Sequence, residues 1–305
     1  MRIAIMGAGG VGGCLGALLA RAGNQVTLIA RGSHLEAMRQ DGLRLKRLND
    51  DFTVRVPATN DPREIEPVEL VLFTVKTYQV EAAIPVIRPL VREDTTVLTL
   101  QNGVESPEDL GRAFGPERIL PGASYTVAHI EEPGVIVEEG PVARIVFGEA
   151  DGQRSARAER VHGVFQQAGI EAEISDDVIK SLWTKYLLLA PVSGITSASR
   201  TRIRKLLQIP ESKATFLAAM KEVEAVGRAH GVDLDEGVVE TMMELIEGFP
   251  DFQNSMHADI ELGRPLELEA LSGAVVRIGR REGVPTPVNE LLYSVLLPHN
   301  DGASD

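Results

Sequence analysis

Apolar residues near the start of the chain come in short unbroken runs separated by turn-forming residues. Ile3–Met6 is one such run. It meets the glycine cluster of "GAGGVGG", which opens into a helix-like stretch over Val11–Ala22, and a second run follows at Val26–Ala30. Together these predict strand, tight turn, helix, strand. Leu70–Val75 and Thr95–Leu100 are further apolar runs, and "YQVEAAIPVIRPL" between them predicts a short helix ended by proline. Such alternation points to a parallel sheet with helices on its faces. Three later runs, Arg118–Ala128, Val135–Val137 and Ala143–Phe147, are separated by Glu-Pro-Gly and Glu-Gly-Pro turn signals. We read them as hairpin strands that extend the same sheet.

From Ser175 onward the period changes to that of a helix. Ser175-Asp176-Asp177 offers a hydroxyl N-cap followed by negative charge at the positive end of the helix dipole. "VIKSLWTKYLLLAPVSGITSAS" then forms the predicted helix. Phe216, Leu217, Met220, Val223 and Val226 recur at spacings of three and four before Gly231, a C-cap signal. Leu268, Leu271, Val275 and Ile278 repeat the pattern. The fold expected is a Rossmann-like α/β domain over residues 1–172 followed by an all-α domain over residues 173–305. The final "HNDGASD" is expected to fray.

The 305 residues, 44% of them hydrophobic, are enough for two cored domains. A formal net charge of -13 disfavours nucleic acid and anionic membranes as partners, so an anionic ligand needs a locally positive pocket. The basic run "RTRIRK" at Arg200–Lys205 reads, in such a chain, as a solvated helix-end patch. Cys14 is the one cysteine, which rules out an internal disulfide and fits a reducing compartment. Inside the first helix it reads as a small buried residue rather than a redox thiol. The chain enters a strand within two residues of Met1 and shows no membrane-spanning run, so a cytoplasmic protein is expected.

Gly7, Gly9 and Gly12 form G-x-G-x-x-G between a strand and a helix, the context in which that pattern binds a dinucleotide. The first glycine allows the tight turn and the second lets backbone approach a pyrophosphate. The third lets helix and strand pack, with phosphate at the helix N-terminus. Gly7, Gly9, Gly10, Val11 and Gly12 are therefore the expected cofactor turn. NAD-binding folds usually place an acid at the end of the second strand, where it bonds the ribose 2′-hydroxyl. This chain has Arg31 there, with Ser33 nearby and no acid until Glu36. A guanidinium can pair with a 2′-phosphate and stack on adenine, so NADP(H) is the expected cofactor.

Hydride transfer needs a proton donor for the developing alkoxide and groups that bind the rest of the substrate. The six histidines are scattered with no metal-binding spacing, so no metal site is expected. Three polar residues stand out. Lys185 lies within the mainly apolar "SLWTKYLLLA". Asn102 lies at the carboxyl end of a predicted strand, where open α/β sheets bind ligands, and Glu267 begins a helix after "GRPL". A lysine held partly out of water has a lowered pKa and can serve as a general acid near neutrality. From the residues alone, Lys185 could equally snorkel to solvent and Glu267 could simply charge a helix N-terminus.

"GAGGVG", "FTVKTYQV", "LQNGV", "LWTKYLLLAPVSGIT", "NSMHADIELGRPLELEALSG" and "GVPTPVNE" resemble, in order and spacing, the ketopantoate reductase (2-dehydropantoate 2-reductase) family along essentially the whole chain. The resemblance implies NADPH-dependent reduction of a 2-oxo acid to the 2-hydroxy acid. The substrate it implies first is 2-dehydropantoate, reduced to pantoate for pantothenate biosynthesis. It also implies a site between a Rossmann-like and a helical domain, and a homodimer through the latter. It makes Lys185 and Glu267 catalytic, Ser255 a binder of substrate carboxylate, Asn102 a neighbour of nicotinamide and substrate, and Lys76 part of the cofactor cleft. The chain departs from the family's pattern where asparagines would stand one and two turns after the lysine and three residues before the serine. Leu189, Ser193 and Phe252 stand there instead. If these line the substrate pocket, selectivity for a substrate hydroxyl is reduced. A β-hydroxyacid-type dehydrogenase and a non-catalytic NADP-sensing protein are the competing readings. The "SM…D…GR" segment weighs against the first, and Lys185 with Glu267 against the second.

Overall fold

The computed structural model describes residues 1–140 and 143–303. Among the described residues twelve strands form two sheets. They are β1 (Arg2–Met6), β2 (Gln25–Ile29), β3 (Leu43–Arg47), β4 (Asp50–Val54), β5 (Ala58–Thr59), β6 (Leu70–Phe73), β7 (Thr96–Thr99), β8 (Ile119–Ser124), β9 (Ala128–Glu132), β10 (Val135–Glu138), β11 (Arg144–Phe147) and β12 (Glu171–Ile174). The larger sheet runs β12-β11-β8-β7-β6-β1-β2-β5. From β5 to β8 it is parallel, in the strand order of a doubly wound dinucleotide fold, and only β8 and β11 pair antiparallel. The apolar β1, β6 and β7 are buried on both faces, as an inner parallel strand must be. Helices α1 (Gly10–Arg21), α2 (Gly32–Asp41), α3 (Val80–Ile87), α4 (Ser106–Phe114) and α5 (Ala156–Gln167) belong to the same unit.

The smaller sheet, β4-β3-β10-β9, corrects one expectation. Val135–Val137 does not extend the main sheet. It pairs parallel with β3 and antiparallel with β9, and β3 in turn forms a hairpin with β4. The second sheet explains several glycines of α1. A Cβ at Gly13 would come within 2.8 Å of Ile136, and one at Gly10 would strike the Ala128 carbonyl. On another face, a Cβ at Gly16 would come within 2.7 Å of Leu28 of the main sheet, and one at Gly12 would strike the Gly7 carbonyl. Helix α1 is thus packed closely on two sides. Cys14 is buried in it, and burial pushes its thiol pKa up, as expected of a structural cysteine.

The helical unit comprises α6 (Val178–Ser199), α7 (Ile203–Leu207), α8 (Pro210–Ala229), α9 (Val238–Gly248), α10 (Ser255–Glu261), α11 (Ala274–Glu282) and α12 (Pro287–Leu296). Contacts divide the chain at Val178/Ile179 and assign one distant segment, residues 102–105, to the helical unit. Its core gathers Trp183, Tyr186, Phe216, Met220, Leu271 and Val275 among others. The Ser175 hydroxyl accepts the Asp177 amide at 3.1 Å, closing a turn just ahead of α6, which begins at Val178. Before α11 the chain makes a π-turn over Glu269–Gly273. The tail expected to fray is held to Ala303, because Leu266 donates its amide to the Asn300 carbonyl and Ala303 donates to that of Gly263. Ser304 and Asp305, and Pro141 of the second turn signal, lie outside the described residues. No described helix is long and apolar enough to cross a membrane.

Candidate active site

The glycine turn follows β1 at the point where strand order reverses between β1 and β6, the position at which such sheets bind ligands. Gly7 has φ +98°, and a Cβ there would sit 2.9 Å from the Val75 amide nitrogen, so the turn requires glycine. Gly9 is the extended N-cap residue of α1, and a Cβ there would meet nothing within 4 Å. Gly9 is therefore a glycine that internal packing does not demand, and the space its side chain would fill lies at a helix N-terminus. That space, with α1 amides beside it, fits a pyrophosphate. The Thr74 hydroxyl donates to the Gly7 carbonyl at 2.8 Å. His34 Nε2 donates to the Ala8 carbonyl at 2.9 Å, while Nδ1 accepts the Gly134 amide at 3.0 Å. This pairing requires the neutral Nε2–H tautomer, and burial lowers the pKa of His34 accordingly. Arg31 is exposed at the N-cap of α2, just beyond β2, and Lys76 is partly buried beyond β6.

The helical unit brings the three remaining polar candidates together. Lys185 on α6 donates from Nζ to Asn102 Oδ1 at 3.1 Å, and Asn102 donates from Nδ2 to Glu267 Oε2 at 3.3 Å. One amide thus joins an ammonium to a carboxylate, with each of its ends used in its proper sense. Gly103 has φ +86°, and a Cβ there would sit 2.9 Å from the Ala270 carbonyl oxygen, so glycine lets this loop lie against the π-turn. Glu267 is 4% exposed. Burial lowers the Lys185 pKa to about 8, against an opposing pull from the Glu267 carboxylate. Lys185 can therefore give up a proton near neutrality. Among the described residues no group of three or more His, Cys, Asp or Glu is placed to hold a metal ion.

Two family models match this chain: ketopantoate reductase PanE/ApbA over residues 3–152 and its C-terminal domain over residues 177–300. The chain is 30% identical to a 2-dehydropantoate 2-reductase of Mesorhizobium japonicum, with 97% of each chain covered. The chain belongs to the ketopantoate reductase family. A crystal structure of 2-dehydropantoate 2-reductase from Geobacter metallireducens matches with a TM-score of 0.92 and 35% identity over 98% of this chain and 99% of that one. A ternary structure of D-mandelate dehydrogenase with NADH and anilino(oxo)acetate matches with a TM-score of 0.90 and 25% identity over 98% of both.

In this ketopantoate reductase family member the positions that depart from the family's pattern are placed unequally. Leu189, one turn beyond Lys185, is half-buried against the helical core. Ser193 is 1% exposed, and its hydroxyl has no hydrogen-bond partner among the described residues. Phe252 does not share a helix with Ser255. Helix α10 begins at Ser255, and Phe252 precedes it in irregular chain, edge-on to Phe249. Ser255 is exposed at the first helical position. Asn254 caps α10 by accepting the His257 amide, and its Nδ2 also donates to Thr196 Oγ1 of α6. The basic run is partly engaged here too, because Arg204 donates to the Phe249 carbonyl and Arg202 pairs with Asp251. Asn254 could have been found in sequence as a capping residue ahead of a helix. His34 and Tyr186, whose hydroxyl donates to the Leu271 carbonyl at 2.5 Å, carry no local signal.

Proposed function

We propose that this protein reduces a 2-oxo acid to the 2-hydroxy acid with NADPH, and that 2-dehydropantoate is the first substrate to test. The observation that carries the reading is the Asn102 amide spanning the Lys185 ammonium and the Glu267 carboxylate. When bound, the cofactor supplies a hydride to the carbonyl carbon of the substrate. As the carbonyl π bond opens, its electron pair moves onto oxygen, and the Lys185 ammonium gives that oxygen a proton. Lys185 is left neutral and is recharged from solvent. Asn102 orients the ammonium, and Glu267 keeps it charged against the cost of burial. The glycine turn and α1 amides hold the pyrophosphate, and Arg31 takes the 2′-phosphate. The test is NADPH consumption with a panel of 2-oxo acids.

The rate should carry the titration of Lys185. Its pKa lies below the ordinary lysine value, so the ammonium is half lost at about pH 8 and kcat/KM for reduction should fall above that pH. Glu267→Gln removes the charge that raises this pKa, so the falling limb should move to lower pH. A limb unmoved in that variant would mean that another group titrates.

Leu189 supports a second reading within the same chemistry, namely a preference for a 2-oxo acid with an apolar tail. The D-mandelate dehydrogenase relationship supports the same reading. A substrate hydroxyl left without a partner costs about 1–3 kcal/mol, or roughly 5- to 150-fold in kcat/KM. The measurement compares ketopantoate with 2-oxo-3,3-dimethylbutanoate, in the native protein and in the double variant Leu189→Asn/Ser193→Asn. The apolar acid should lead in the native protein and lose ground in the variant. A tenfold native preference for ketopantoate would overturn this reading.

A further inference from the structure

Asn102 and Glu267 reach Lys185 from segments 165 residues apart in sequence, and neither segment is a helix or strand at that point. Their close approach must therefore be held by something other than a shared element. Arg277 on α11 touches both segments. Its Nη2 donates to Glu105 Oε2 at 2.8 Å, three residues beyond Asn102, and to the Glu269 carbonyl at 2.8 Å. Its Nη1 donates to Glu269 Oε2 at 2.6 Å, two residues beyond Glu267. The Tyr293 hydroxyl of α12 holds the other oxygen of Glu269 at 2.7 Å. The Tyr186 hydroxyl, next in sequence to Lys185, anchors the same π-turn through the Leu271 carbonyl.

We propose that Arg277 is a positioning residue of the proton-donor site: its guanidinium joins the Asn102–Glu105 segment to the turn beyond Glu267, and so sets where both side chains meet Lys185. A planar fork with several donors can serve two carboxylates and a carbonyl at once, whereas an ammonium cannot reproduce that geometry. The side chain of Arg277 is partly exposed, and ion pairs of that kind contribute little to global stability. Its value therefore lies in geometry. The groups facing Arg277 are Glu105, Glu269 and Tyr186, with Tyr293 and Arg280 beyond Glu269, and the charge facing Lys185 is that of Glu267.

The proposal rests on Lys185 as the proton donor, and the test separates the two. Arg277→Ala and Arg277→Lys should lower kcat about 10- to 100-fold with the KM for NADPH unchanged, as expected when reacting groups are misplaced by a fraction of an ångström to an ångström. Their falling pH limb should move down by about half a unit, because the Glu267 carboxylate draws away from the ammonium. Glu105→Gln and Glu269→Gln each weaken one arm of the clamp and should give smaller shifts of the same sign, which covers the case of an Arg277 variant that does not fold. In a Glu267→Gln background, Arg277→Ala should shift the limb no further. An unmoved limb in the Arg277 and glutamate variants, or an undiminished shift in the Glu267→Gln background, overturns the positioning role while leaving Lys185 as donor. Full turnover in Lys185→Ala would overturn both.

Discussion

Lys185→Ala will lower kcat by roughly 10²- to 10⁴-fold, the usual worth of a positioned general acid, while NADPH still binds. The expectation follows from placement as much as from residue type. Lys185 is partly buried, bonded to Asn102 and faced by the Glu267 carboxylate, so burial readies its ammonium to give up a proton while Glu267 keeps it charged. Water could replace it as a proton source only with loss of orientation. The measurement is single-turnover reduction at saturating NADPH, beside a fluorescence titration of NADPH binding. Near-native turnover with intact binding would show that the proton comes from elsewhere.

Arg31→Ala will raise the KM for NADPH and leave use of NADH nearly unchanged. A charge-assisted hydrogen bond of this kind contributes about 1.5–3 kcal/mol, so kcat/KM for NADPH should fall roughly 10- to 150-fold. Arg31 is exposed where β2 gives way to α2, and the residue before it is Ala30, so no carboxylate there competes for a ribose hydroxyl. The native protein should prefer NADPH over NADH by at least about tenfold in kcat/KM. Equal use of the two cofactors before any mutation would sink the assignment.

The β1-α1-β2 unit was legible because its pattern is local: two apolar runs, a glycine turn and a helical stretch between them. The alternation that followed was enough to place β6 and β7 in a parallel sheet. The second sheet was not legible. Leu43–Val54 is a short charged hairpin, and nothing in Val135–Val137 says whether its neighbour will be β3 or a strand of the main sheet. Nor could the sequence show that Gly10 and Gly13 answer to that second sheet, whereas Gly9 answers to no internal contact. Lys185, Asn102 and Glu267 stood out as polar residues in apolar or strand-end settings. Arg277 and Tyr186 did not, because their partners lie 8, 85 and 172 residues away, outside the three- and four-residue spacing by which helical pairs are found.

The assignment of residues 102–105 to the helical unit bears on how the chain can be assembled and divided. A fragment beginning at Ile179 would carry Lys185, Glu267 and Arg277 but neither Asn102 nor Glu105. Cutting the protein at the apparent boundary would therefore separate Asn102 and Glu105 from the three residues they bond or face. On the ribosome Asn102 emerges long before its partners, and the arrangement closes only after Glu267 has been made. Contacts spanning 83 and 165 residues close large loops, and such contacts form late in folding. The Lys185–Asn102–Glu267 arrangement should thus be among the last parts of the molecule to form and should report completion of the native state.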